Sequence, residues 1–287
     1  MRVETADGWS LGVRVHRVPE PRGVLVLGHA MMVDGRSVDR PPSGGLASFL
    51  AGEGWEVWVP DLRGRGLSGP TVAEGGSWGY DDLVRHDLPA LVAAARASVA
   101  GPCWVVGNSL TGHVSAAAAG TGAYVDPPDG HVFFSVNTWV AALEPSPWLR
   151  IRKGLGSAFF GLLARVLGRI PARLLRVGPV DEAGGYGRDL HRFWTRGWGS
   201  REGVDYLASL GTVTTPVLAL LGRADRYLAA PVAARAWAEC FGGEVVVREL
   251  GRGDEGLTFD PGHMTLVTDP RSRPAWEIAA RFLAEHT

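Results

Sequence analysis

From residue 24 onward, short runs rich in apolar residues take turns with longer stretches in which apolar positions recur every three or four residues. The runs fall at 24–28, 55–61, 103–106, 131–136, 216–221 and 244–250. The runs at 24–28 and 131–136 predict strands buried on both faces of a parallel sheet, and the others read as further strands of the same series. Helical spacing predicts helices over 46–53, 80–98, 231–241 and 273–285, and the small-residue run 115–120 has helical character as well. Pro89 is awkward inside 80–98 and predicts a kink or a restart there. Ahead of this series, residues 2–5 and 9–17 flank Asp7-Gly8, the signature of a hairpin. Strand–helix alternation calls for a mainly parallel sheet with helices on both faces, and the hairpin adds antiparallel strands at one edge. The expected architecture is α/β with eight strands.

One interval breaks the alternation. Residues 137–210 hold no buried-strand run; they are rich in arginine and carry Trp139, Trp148, Phe159, Phe160, Phe193, Trp194 and Trp198. Helical spacing runs through Leu155, Phe159, Leu162, Leu163, Val166, Leu167 and Ile170. The chain thus divides into a core of 1–136 plus 211–287 and a helical insertion at 137–210. So much aromatic surface needs something to cover, and pockets in α/β folds open at the C-terminal ends of the strands. The insertion therefore reads as a cap over such a pocket, the alternative being a helical subdomain that packs only on itself.

Bulk composition narrows the class. With 287 residues, 46% hydrophobic and 21% charged, the chain can bury a substantial core. Its 29 basic and 30 acidic residues leave a net charge of -1, which points to neither nucleic acid nor an acidic membrane as partner. Cys103 falls in a predicted strand and Cys240 in a predicted helix, offering no disulfide framework, as in a reduced cytoplasmic protein. The acidic, polar start at Met1–Gly8 is unlike a signal peptide. The most hydrophobic helical stretch, 157–175, is interrupted by Arg165, Arg169, Pro171 and Arg173, so stable membrane insertion is not expected.

Candidate chemistry gathers where strands end. The run from Cys103 stops at Gly107; Ser109 follows two residues later and a helix begins, putting a hydroxyl at the apex of a strand–turn–helix. Asp225 follows the strand at 216–221 in Gly222-Arg223-Ala224-Asp225, and His263 lies in Asp260-Pro261-Gly262-His263-Met264 before the last helix. Taken singly, Asp225 and His263 read equally well as a loop aspartate and a satisfied loop histidine, and a capping serine is the lesser reading of Ser109. Together they put a hydroxyl, a base and an orienting acid at one edge of the sheet, the set a feeble serine nucleophile requires. Asp254 and Asp260 are competing acids in the loop of His263, whereas Asn137 cannot ionise.

These motifs resemble the α/β-hydrolase superfamily. Gly107-Asn108-Ser109-Leu110-Thr111-Gly112 is similar to its nucleophile elbow, with Thr111 where a small residue is usual. Asp61-Leu62-Arg63-Gly64-Arg65-Gly66-Leu67-Ser68 resembles the turn after its fourth strand, and His29-Ala30-Met31 stands where H-G-x is common. The resemblance implies an α/β-hydrolase fold with a helical cap and a Ser109–His263–Asp225 triad. It further implies that the backbone N–H groups of Met31 and Leu110 form an oxyanion hole, while His29 and Arg63 are structural. Met32, Asn108, Trp139, Phe159 and Phe160 are candidate substrate contacts, although Met31 and Met32 serve equally as core filling. His113 reads as a helix-surface or core residue. Neither cofactor nor metal is expected: Asp81, Asp82, His86 and Asp87 read as a solvated helix face, and residues 107–112 lack the lysine of a phosphate-binding loop. The implied activity is hydrolysis of a carboxylic ester of a small or medium apolar substrate through an acyl-enzyme. Amidase or peptidase, thioesterase, lysophospholipase and acyltransferase chemistry use the same triad, and a non-catalytic ligand-binding role stands as the alternative from another class. Oligomeric state is not legible.

Overall fold

The computed structural model describes residues 1–287. Eight strands form one sheet: β1 (Arg2–Glu4), β2 (Ser10–His16), β3 (Val24–Gly28), β4 (Glu56–Pro60), β5 (Cys103–Asn108), β6 (Gly130–Phe134), β7 (Val217–Gly222) and β8 (Val245–Leu250). Their spatial order is β1-β2-β4-β3-β5-β6-β7-β8. β1 and β2 pair antiparallel and β2 joins β4 antiparallel, while every pairing from β4 through β8 is parallel. The expected sheet is therefore the observed one, with strand ends shifted by a residue or two. Because β3 and β5 are central and parallel, in register from Val24 against Cys103 to Gly28 against Gly107, their C-terminal ends open side by side.

Alternation within each apolar run feeds two cores. Val24, Val26, Cys103 and Val105 face one side of the sheet, and Leu25, Leu27, Trp104 and Val106 face the other. The second side is covered by α1 (Leu46–Gly52) through Leu46 and Leu50, and by the C-terminal helix through Trp276 and Leu283. The first side is covered by α2 (Leu88–Ser98) and α3 (Leu110–Gly120), through Leu88, Leu91, Val92 and Val114. Pro89 marks a restart: a wider turn over Leu83–Asp87 interrupts the helix and α2 begins at Leu88, so the residue that lacks an N–H sits in the first turn of the new segment. Nor is 81–87 a solvated face. Asp87 is fully buried against Arg63 at 2.7 Å, and buried Asp81 accepts from the Tyr206 hydroxyl and the Arg201 amide.

Residues 137–210 lie between β6 and β7. Their main elements are α4 (Pro147–Val166) and α5 (Gly184–Arg196), which pack against each other, with a two-residue ladder between Arg169–Ile170 and Glu182–Ala183. The helical spacing from Leu155 is real up to Val166, but its direction is opposite to the one a cap lining demands. Leu155, Phe159, Leu162 and Val166 are exposed, whereas the buried residues of α4 are Lys153, Ser157 and Ala164. No helix is long and apolar enough to cross a membrane.

Candidate active site

The turn after β5 is held by the absence of side chains. Ser109 sits at φ 49°, ψ −105°, a conformation L residues avoid. A Cβ on Gly107 would run into the Gly112 backbone, so α3 approaches β5 this closely only with glycine at 107, and one on Gly112 would run into Val136 of the segment after β6. Thr111 does not crowd the turn. It packs over Gly28, where a Cβ would meet its methyl at 2.2 Å, and its hydroxyl donates to the His29 carbonyl at 2.8 Å.

That turn presents Ser109 to the loop before the last helix. Ser109 Oγ lies 2.9 Å from His263 Nε2, and His263 Nδ1 lies 2.6 Å from Asp225 Oδ2. Asp225 is almost fully buried, and its carboxylate also accepts the N–H groups of Leu228 and Ala229, both at 3.0 Å. The Asp225 carboxylate so placed accepts the hydrogen bond from Nδ1–H of the imidazole and leaves Nε2 as acceptor for the serine hydroxyl. The competing acids are engaged elsewhere: Asp254 pairs with Arg223 at 2.6 Å and Asp260 accepts the Arg252 amide.

The loop after β3 reaches the same place. The Met31 N–H has no hydrogen-bond partner within the protein, and that of Leu110, first residue of α3, has no helical carbonyl to receive it. Buried His29 fixes the loop from beneath, donating from Nδ1 to the Ala30 carbonyl and accepting the Leu62 amide at Nε2. Burial pushes its pKa down to about 4, so the ring is neutral. The loop's other anchor escaped the sequence reading. The N–H of Met32, at φ 61°, donates to Glu182 Oε1 at 2.8 Å, and Glu182 forms a fully buried ion pair with Arg65 at 2.6 Å. Glu182 thus ties residues 137–210 to both the loop of Met31 and the turn after β4. One signal was available: Asp181 and Glu182 are the first acidic residues after Glu144.

Ser109 and His263 open into a cavity of about 470 Å³ whose lining contains no Asp, Glu, Lys or Arg. Met31, Met32, Trp139 and Phe160 line it, joined by Tyr186, Leu190 and Phe193 of α5. Asn108 and Phe159 do not: Asn108 is buried beneath the turn, and Phe159 points outward from α4. His113 is no surface residue. It is buried at the cavity wall, its Nδ1 shares a 2.8 Å hydrogen bond with the Tyr80 hydroxyl, and burial together with the nearby His263 pushes its pKa down to about 3.

A family model described as the alpha/beta hydrolase family matches residues 19–275. Among solved structures, a thermophilic esterase from Thermogutta terrifontis has a TM-score of 0.61 at 18% identity, covering 100% of this chain and 98% of that one. A monoacylglycerol lipase from Paleococcus ferrophilus has a TM-score of 0.64 at 18% identity, covering 96% and 99%. At such identities the likeness is one of fold. Among curated proteins, Triacylglycerol lipase 2 of Arabidopsis thaliana is 33% identical over 107 residues, 31% of this chain and 25% of that protein. Gastric triacylglycerol lipase of Rattus norvegicus is 29% identical over 106 residues, 31% of this chain and 26% of that protein. The match therefore spans about a quarter of the length of these two lipases. With residues 19–275 matched by the family model, the chain belongs to the alpha/beta hydrolase family.

Proposed function

We propose that the protein is a serine hydrolase of carboxylic esters with a neutral, apolar acyl group. The observation that carries this reading is the hydrogen-bonded line from Asp225 Oδ2 through His263 to Ser109 Oγ, ending at an uncharged cavity. Ser109 Oγ attacks the ester carbonyl while His263 Nε2 takes its proton. Asp225 holds the imidazole in the required tautomer and stabilises the imidazolium. The N–H groups of Met31 and Leu110 receive the oxyanion, a contribution for which loss of one donor typically costs about 10² to 10³ in rate. The intermediate collapses, His263 passes the proton to the departing alkoxide, and an acyl-Ser109 remains. Water, deprotonated by His263, then releases the carboxylic acid. Residues 137–210 act as the cap, with Trp139 and Phe160 against the acyl group.

An ester is favoured over an amide or thioester because the similar proteins carry the names esterase and lipase. The uncharged lining argues for a neutral acyl group, since a carboxylate buried there would have no counter-charge. The test is kcat/KM over p-nitrophenyl esters of increasing acyl length, with a succinate half-ester as the charged comparison. Turnover rising with apolar chain length and falling for the half-ester is the expected result. Equal or better turnover of the charged ester overturns the substrate assignment.

A further inference from the structure

The outer face of α4 takes no part in the cavity. Trp148, Ile151, Leu155, Phe159, Leu162 and Val166 recur every three or four residues, and at 100° per residue they fall within an arc of roughly 80°. All six are exposed, from 47% for Phe159 to 69% for Val166. A helix on a globular protein ordinarily turns such a stripe inward; here the inward side carries Lys153, Ser157 and Ala164. Leu167, Leu174 and Val177, also exposed, extend the apolar area beyond the end of the helix.

The charge around this stripe has one sign. Between Glu144 and Asp181 the chain has no acidic residue, and Arg150, Arg152, Arg165, Arg169, Arg173 and Arg176 are all exposed. Arg152 and Arg165 project on either side of the stripe. Of these guanidinium groups only that of Arg169 approaches a carboxylate, Asp181 at 3.8 Å, while that of Arg152 stacks over Trp148 at 4.4 Å. The balanced total of -1 conceals this patch, because the acidic residues lie elsewhere.

We propose that this face docks on an anionic lipid surface. In the docked state α4 lies in the plane of the headgroups, its stripe enters the acyl boundary and its arginines meet lipid phosphates. The charge pattern selects this occupant over a second copy of the chain, since a two-fold contact across the stripe would bring like arginines together. Docking of this kind is at the surface: no helix is long and apolar enough to cross a membrane. Docking also has a consequence for access. Ser157 and Phe160, on the inner side of the same helix, line the cavity, and Val177 belongs to both the lining and the exposed apolar area. The cavity is therefore held directly beneath the lipid surface. This inference goes beyond the catalytic reading and does not depend on Ser109.

The test is co-sedimentation of the full chain with vesicles of phosphatidylcholine alone and of equal parts phosphatidylcholine and phosphatidylglycerol. Binding is expected to the second and not the first, and to weaken as salt is raised. A Leu155→Glu/Leu162→Glu variant is expected to lose about tenfold or more in affinity for each leucine removed. Arg165→Glu should cost about fivefold or more. These positions are exposed, so an unchanged melting temperature and unchanged turnover of a soluble ester show that the fold survives. Ser109→Ala should bind like the parent, which separates failure of docking from failure of catalysis. Absence of binding to phosphatidylglycerol vesicles at low salt overturns the proposal, as does equal binding to phosphatidylcholine alone or by the leucine variant. So does a dimer in solution that the leucine variant converts to monomer, which would assign the face to a second copy.

Discussion

Thr111 Oγ1 donates a 2.8 Å hydrogen bond to the carbonyl of His29, so the first turn of the helix behind Ser109 is tied to the loop that presents Met31. The threonine at an unusual place in the turn is a strut between the two proposed halves of the oxyanion site, and Gly28 makes room for it. Thr111→Val keeps the shape and removes the hydroxyl. A typical net hydrogen bond is worth about 1 kcal/mol, so kcat is expected to fall by up to about tenfold with KM nearly unchanged. Steady-state kinetics on a p-nitrophenyl ester decide this, and a raised KM at constant kcat would assign Thr111 to substrate binding instead.

The same contact predicts a coupling. Gly28→Ala sets a Cβ against the Thr111 side chain and is expected to destabilise the protein by about 1–3 kcal/mol. Removing that side chain in Gly28→Ala/Thr111→Gly should recover part of the loss, although glycine in the helix itself costs about 1 kcal/mol. Urea denaturation of the two single variants and the double variant measures the coupling; strict additivity would show that the two side chains do not meet.

Glu182 holds the Met32 N–H and compensates Arg65. Glu182→Ala leaves a buried guanidinium unpaired and should cost about 3–5 kcal/mol of stability. Glu182→Gln is the more informative change, because the amide oxygen can still accept from Met32 while the charge is gone. It should lose more in kcat than in KM, since the loop it steadies would act on the transition state.

The runs and the Asp7-Gly8 hairpin signature made the eight strands legible, and the central ones are plainest, since a strand buried on both faces such as β3 shows itself as an unbroken apolar run. It also indicated Ser109, His263 and Asp225, which the fold brings into hydrogen-bond contact. What escaped has a common cause. Periodicity identifies the apolar face of α4 but not which way that face turns, and Phe159 was assigned inward on that ground while its neighbour Phe160 is the one that lines the cavity. Partners distant in sequence, such as Arg65 with Glu182 or Arg63 with Asp87, leave no local trace, so Asp87 read as solvated although it is buried.

Three buried histidines make a pH prediction. Burial holds His29 and His131 down to about 4 and His113 to about 3, so the folded protein keeps them neutral where the unfolded chain has already taken up protons near 6.5. Protons therefore favour the unfolded state, and stability is lost as pH falls from about 6.5 toward 4. His131, on β6 beside Phe133, has no hydrogen-bond partner at either ring nitrogen. His131→Leu should reduce the stability lost across that window by about 3 kcal/mol. Urea midpoints between pH 7 and 4 test this, and an unchanged slope in the variant would show that His131 titrates normally.

Asp225→Asn isolates the orienting role. The amide holds the imidazole in the wrong tautomer, and kcat should fall by about 10⁴ with the fold intact. A loss of less than tenfold would remove Asp225 from the mechanism.

The central claim is that Ser109, activated by His263, is the nucleophile. Intact-mass and peptide analysis after exposure to a fluorophosphonate tests it most directly. One adduct per chain on Ser109 is predicted for the native protein, with none in Ser109→Ala and greatly slowed labelling in His263→Ala. A native protein that stays unlabelled, or an adduct that persists in Ser109→Ala, would contradict the account.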